Sequence, residues 1–82
     1  MQIGRVLNAT RILGKQQGYL SLPVRDEAMH CAVADALIPT MTTAWLPTPK
    51  ELAAINAGAP IHVRIFGTEH PPMMVDVGEI PE

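Results

Sequence analysis

Thr48-Pro49-Lys50-Glu51 is the stretch that most constrains this chain, because it pins a helix start to a single residue. Thr48 can accept from the early backbone N–H groups, Pro49 suits the first helical position, and Glu51 can reach back to complete a capping box. Leu52 and Ile55 give the short helix one apolar side, and Gly58 can end it in the left-handed conformation. Pro60 to Phe66 then reads as a strand, Gly67 to Pro72 as a turn and Met73 to Val77 as a second strand. The expected unit is a helix followed by a hairpin.

Upstream, Gln2 to Leu7 reads as a first strand, although Arg5 shares a face with Ile3 and Leu7. Asn8 to Gln17 reads as an irregular excursion ending in a turn at Gly18-Tyr19. Tyr19 to Val24 alternates, with Leu20 and Leu22 on one side, and Pro23 places that strand on an edge or ends it. For Asp26 to Leu37 the residues allow two readings. Met29, Val33 and Leu37 lie four apart among alanines, which favours a helix capped by Asp26. The alternative is a short strand at Cys31-Ala32-Val33 followed by a loop. Pro39 stops either one, and Thr40 to Leu46 reads as another strand. The expected fold is a single α+β domain over residues 1–82, an antiparallel sheet of four to five strands carrying one or two short helices.

In a chain of 82 residues, 48% are hydrophobic and 17% charged, against a usual charged share of about 25%. So small a domain cannot hide that much apolar surface within one copy, so a homo-oligomer is expected. Six basic and eight acidic residues leave a net charge of −2 with no basic face, which excludes polymeric nucleic acid as the expected partner. Cys31 stands alone, so no internal disulfide is possible and a reducing compartment is the simpler reading. No apolar stretch of signal-peptide length follows Met1, and the longest apolar run, around Cys31 to Ile38, is broken by Asp35. The expected location is the cytoplasm, with no membrane partner.

Along the strand from Pro60 to Phe66, Ile61, Val63 and Ile65 alternate with His62, Arg64 and Phe66. If the two late strands pair, His62 or Arg64 faces Asp76, either as a solvated charge pair or as a patch that grips an anion. His70, held extended before two prolines, is a surface group or a direct contact. Arg25, flanked by Asp26 and Glu27, is either part of a solvated strand end or a donor aimed at a phosphate or a partner's acid. Trp45 offers an aromatic surface one strand end before the helix start. The candidate ligand-binding residues are therefore Arg25, Trp45, His62, Arg64 and His70. No histidine or cysteine pair has zinc-site spacing, and neither a nucleophile elbow nor a phosphate-binding loop is present. No metal, cofactor or catalytic residue is expected.

Several segments together resemble small uncharacterised proteins of phages, prophages and proteobacteria. These are Leu22-Pro23-Val24-Arg25-Asp26-Glu27, Thr42 to Leu52, Ile55 to Pro60 and Gly67 to Pro72, within a likeness covering about residues 10 to 78. That group has no established activity, so the resemblance implies no site residues; it does imply that residues 28 to 38 vary in form. Trp45-x-Pro47-Thr48-x-x-Glu51-Leu52 is also similar to a segment of phage anti-defence sponge proteins, which sequester nucleotide-derived immune signals. Ala59-Pro60 stands where such sponges carry a second tryptophan. The likeness implies a small oligomer of the host cytoplasm that binds ligand between subunits. The function expected first is a non-enzymatic, phage-type anti-defence module that sequesters a small anionic or nucleotide-like ligand or blocks a host defence protein. The alternative is a structural or assembly protein that self-associates through its apolar face.

Overall fold

The capping box forms where the sequence places it. In a computed structural model describing residues 1–14 and 21–80, Glu51 N donates to Thr48 Oγ1 at 3.2 Å and Thr48 N donates to Glu51 Oε1 at 2.9 Å. Helix α1 (Pro49–Asn56) follows, and Gly58 just beyond it has φ +99°, in the left-handed range expected of a helix terminator. Glu51 also accepts from the Met1 ammonium through Oε2 at 2.8 Å. That bond, and then the Thr48 backbone N–H, hold the Glu51 carboxyl down to about 2 from an ordinary 4.5.

Five strands precede the helix among the described residues. Strands β1 (Gln2–Gly4) and β5 (Ala44–Leu46) pair antiparallel, with Ile3 opposite Trp45. Strands β2 (Arg11–Leu13), β3 (Leu22–Cys31) and β4 (Ala36–Thr42) form a second antiparallel sheet in that order. The fold is thus small α+β, but its strands divide between a two-stranded and a three-stranded sheet instead of sharing one. β3 pairs by halves: Leu22 to Val24 lie opposite Leu13 to Arg11, and Arg25 to Cys31 opposite Thr42 to Ala36.

Several elements depart from the sequence reading. The helix expected from Asp26 to Leu37 is a β-hairpin, and so is the short alternative strand at Cys31 to Val33. Its turn spans residues 32–35, with Asp35 at φ +49°. The period-four apolar spacing there is a weak local preference, and pairing with flanking strands overrides it. Asp26 caps nothing; it sits mid-strand opposite Met41. Pro23 meets the edge alternative, since β3 runs through it where only the β2 side is paired. β2 lies inside the stretch read as an irregular excursion, and the single strand expected over Thr40 to Leu46 is broken at Thr43. The turn expected at Gly18-Tyr19 and the start of the strand expected from Tyr19 lie outside the described residues.

The largest correction concerns the C-terminal quarter. From Ala59 to Ile80 the chain forms no helix and no strand, so the hairpin expected across Gly67 to Pro72 does not close. Among the described residues, the last backbone–backbone hydrogen bond is Ala59 N to Ala54 O at 3.0 Å. Burial is correspondingly sparse. Val24 is fully buried and Val6 is 7% exposed, whereas Leu52 on the apolar side of α1 remains 48% exposed.

Two outcomes test this reading. Val24→Ala should lower stability by about 2 kcal/mol, seen as a lower urea midpoint at unchanged slope. The Glu51 carboxyl should titrate near pH 2 by carboxyl NMR. Because its folded value lies below its unfolded one, its stabilising effect should be present above about pH 4.5 and fade as pH falls toward 2.

Candidate functional site

The polar centre of the molecule is built around Asp26, the third residue beyond Pro23 on β3. Arg11 on β2 grips its carboxylate with two donors, Nε to Oδ2 at 2.9 Å and Nη2 to Oδ1 at 3.0 Å. Thr10 adds a hydroxyl donor to Oδ2 at 2.6 Å and accepts Asp26 N at 2.9 Å. Thr10 N also donates to Val24 O at 2.7 Å, which extends the β2–β3 pairing by one residue. The hydrogen bonds from Arg11 first, then from Thr10, hold the Asp26 carboxyl below its ordinary range. Arg11 Nη2 lies 3.0 Å from Met41 Sδ, so this side chain touches both neighbours of β3.

Arg25, one residue earlier, turns the other way. Its Nε donates to Glu27 Oε1 at 2.9 Å and its Nη1 to the Leu7 carbonyl at 3.1 Å. It is thus held by one flanking carboxylate, and its remaining contact is with backbone between β1 and β2. Thr42 Oγ1 also reaches Glu27 Oε1, at 3.4 Å. Half-burial of Arg25 follows from this position.

The other four candidates lie elsewhere. Trp45 is on β5, 47% exposed, and its indole N–H donates to Thr43 Oγ1 at 3.0 Å. His62 and Arg64 are exposed on the segment without regular structure, and His70 Nδ1 lies 2.7 Å from the Pro71 carbonyl oxygen. No hydrogen bond or ion pair among the described residues joins any two of the five. Nor does His62 or Arg64 pair with Asp76 among them.

Sequence reading missed Arg5 and Arg11. Together with Ala9, Thr10 and Ile12 they line an open depression of about 410 Å³. A strand pattern at Arg11-Ile12-Leu13 was the available signal, hidden by the polar residues around it. Arg11 is already committed to Asp26, so the depression's second guanidinium is satisfied within the fold. Among the described residues no three histidine, cysteine or carboxylate side chains cluster as a metal site would require. No described helix is long and apolar enough to cross a membrane. No protein-family model, curated protein or solved structure matches the chain.

The Asp26 arrangement can be read by titration. In the intact protein Asp26 should titrate below the usual carboxylate range. Arg11→Met should bring its midpoint back up toward that range in a carboxyl NMR titration; the variant should be less stable near neutral pH, and the part of the acid-side stability loss that comes from Asp26 should shrink.

Proposed function

We propose that this chain is a non-enzymatic assembly module that self-associates through its apolar surface. One observation carries the reading: the molecule leaves 7511 Å² accessible, whereas a compact protein of 8.9 kDa exposes about 4,800 Å². The excess is apolar in large part. Phe66 and Val77 are each 96% exposed, Ile80 91%, Met74 74% and Leu37 71%. A stable interface removes about 800 Å² from each partner, so the excess is ample for one. Apolar side chains left this exposed favour association, and a second copy is always at hand to cover them.

The reading expected first, a module that sequesters an anion, draws less support. Arg25 and Arg11 spend their donors on Glu27, Leu7 and Asp26. Among the described residues, no hydrogen bond or ion pair joins Trp45, His62, Arg64 and His70 to one another.

Native mass spectrometry and sedimentation over a wide concentration range decide between the readings. Assembly predicts a multimer of bare chain mass whose population rises with concentration. A multimer that always carries a small-molecule mass would return the sequestering role to first place. A monomer at every concentration would overturn both.

A further inference from the structure

Residues 61–79 hold two β-type runs that the fold leaves unpaired. Ile61, Val63 and Ile65 alternate with His62, Arg64 and Phe66; Met73, Val75 and Val77 alternate with Met74 and Asp76. Such a pattern is written for a strand with two different faces, yet all of these side chains except the half-buried Ile65 are exposed. The reason the two runs do not meet within one chain lies between them. His70 and Pro71 each precede a proline, which forces both toward extended backbone, and the prolines fix their own φ and supply no N–H. Glu69 to Pro72 is therefore a stiff spacer and a poor hairpin turn.

We infer that this arm pairs antiparallel with the same arm of a second copy, about a twofold axis at His70. One register matches residues 63–66 of each arm with residues 74–77 of the other on both faces. It sets Val63 opposite the partner's Val77 and Ile65 opposite the partner's Val75 on one side of the ribbon. On the other side it sets Arg64 opposite the partner's Asp76 and Phe66 opposite the partner's Met74. The charge pattern favours this pairing over a parallel one. The first half of the arm carries Arg64 and His62, with Glu69 beside the axis, and the second half carries Asp76 and Glu79 and no basic residue. Running antiparallel brings the basic half of each arm alongside the acidic half of the other. A shift of one residue would set Ile65 against Asp76 and expose the apolar rows, so the register is specified by period two. The twofold makes every contact twice, and a thioether edge against the Phe66 ring adds to each copy. Arg64 and Asp76 enter no ion pair within the chain among the described residues, so both are available.

This pairing rests on the self-association proposed above and specifies how it occurs. Charge reversal tests it. Arg64→Asp alone and Asp76→Arg alone each place like charges opposite one another twice per dimer, and each should weaken dimerisation about tenfold. Mixed in equal amounts, the two variants should restore near-native affinity as a heterodimer by sedimentation equilibrium, because each pair again joins opposite charges. In a Cys31→Ser background, Arg64→Cys mixed with Asp76→Cys should oxidise to a covalent heterodimer, while neither alone crosslinks. Unaltered dimerisation in both charge variants, with no crosslink in the mixture, would overturn the arm pairing while leaving self-association standing. An intrachain disulfide in a chain carrying both cysteines, with no heterodimer in the mixture, would show that the hairpin closes on itself and would equally overturn it. A native protein that stays monomeric would remove the parent reading as well.

Discussion

The Asp26 carboxylate is the junction on which the described sheet depends. It lies where β3 changes partner, with β2 opposite the residues before it and β4 opposite the residues around it. A strand that pairs by halves has no neighbour spanning both halves, so something other than the ladder must keep β2 and β4 in fixed relation. Arg11 does this from β2, holding Asp26 by two bonds and lying against Met41 of β4. Thr10 locks the same point by exchanging hydrogen bonds with both the side chain and the backbone of Asp26. Val24, the one fully buried side chain named in the core, sits two residues away, so the polar clamp and the apolar seed of the sheet are neighbours.

A second clamp organises the other sheet. Glu51 caps its own helix and accepts from the Met1 ammonium, while β1 pairs with β5 directly before the helix. One side chain thus joins the start of the chain to the start of α1. The same economy commits Arg11 and Arg25 to bonds within the fold. With few charges in the chain, those on β2 and β3 are used to hold strands together. Arg64, Glu69, Asp76 and Glu79, which enter no ion pair among the described residues, lie together on the arm.

The parts legible in the sequence were those with local causes. Thr48, Pro49 and Glu51 specify a helix start through contacts three residues apart, and the structure makes those contacts. The hairpin of β3 and β4 was not legible in the same way. Alanines among Met29, Val33 and Leu37 suit a helix locally, and only the cross-strand pairing of Arg25 to Cys31 with Ala36 to Thr42 decides for strands. Arg11 went unnoticed because its role depends on Asp26, fifteen residues away. Of the five candidate residues, Arg25 was correctly associated with a flanking carboxylate, but its second contact, to the Leu7 carbonyl, belongs to tertiary structure. The arm shows the reverse case. Its alternation is plain in the sequence, whereas the absence of a partner strand among the described residues is a fact of the fold alone.

Gly67 gives the arm a property that its side chains do not. Its φ is +123°, and a Cβ built there would meet nothing within 4 Å. What reserves the position for glycine is therefore the backbone angle and not crowding. The heading of the chain beyond it turns on backbone torsions at a residue that carries no side chain itself, directly after Phe66. Evolution or design could re-aim the arm at that residue, and so set the balance between a chain folded on itself and one shared with a neighbour, without altering a single surface that binds.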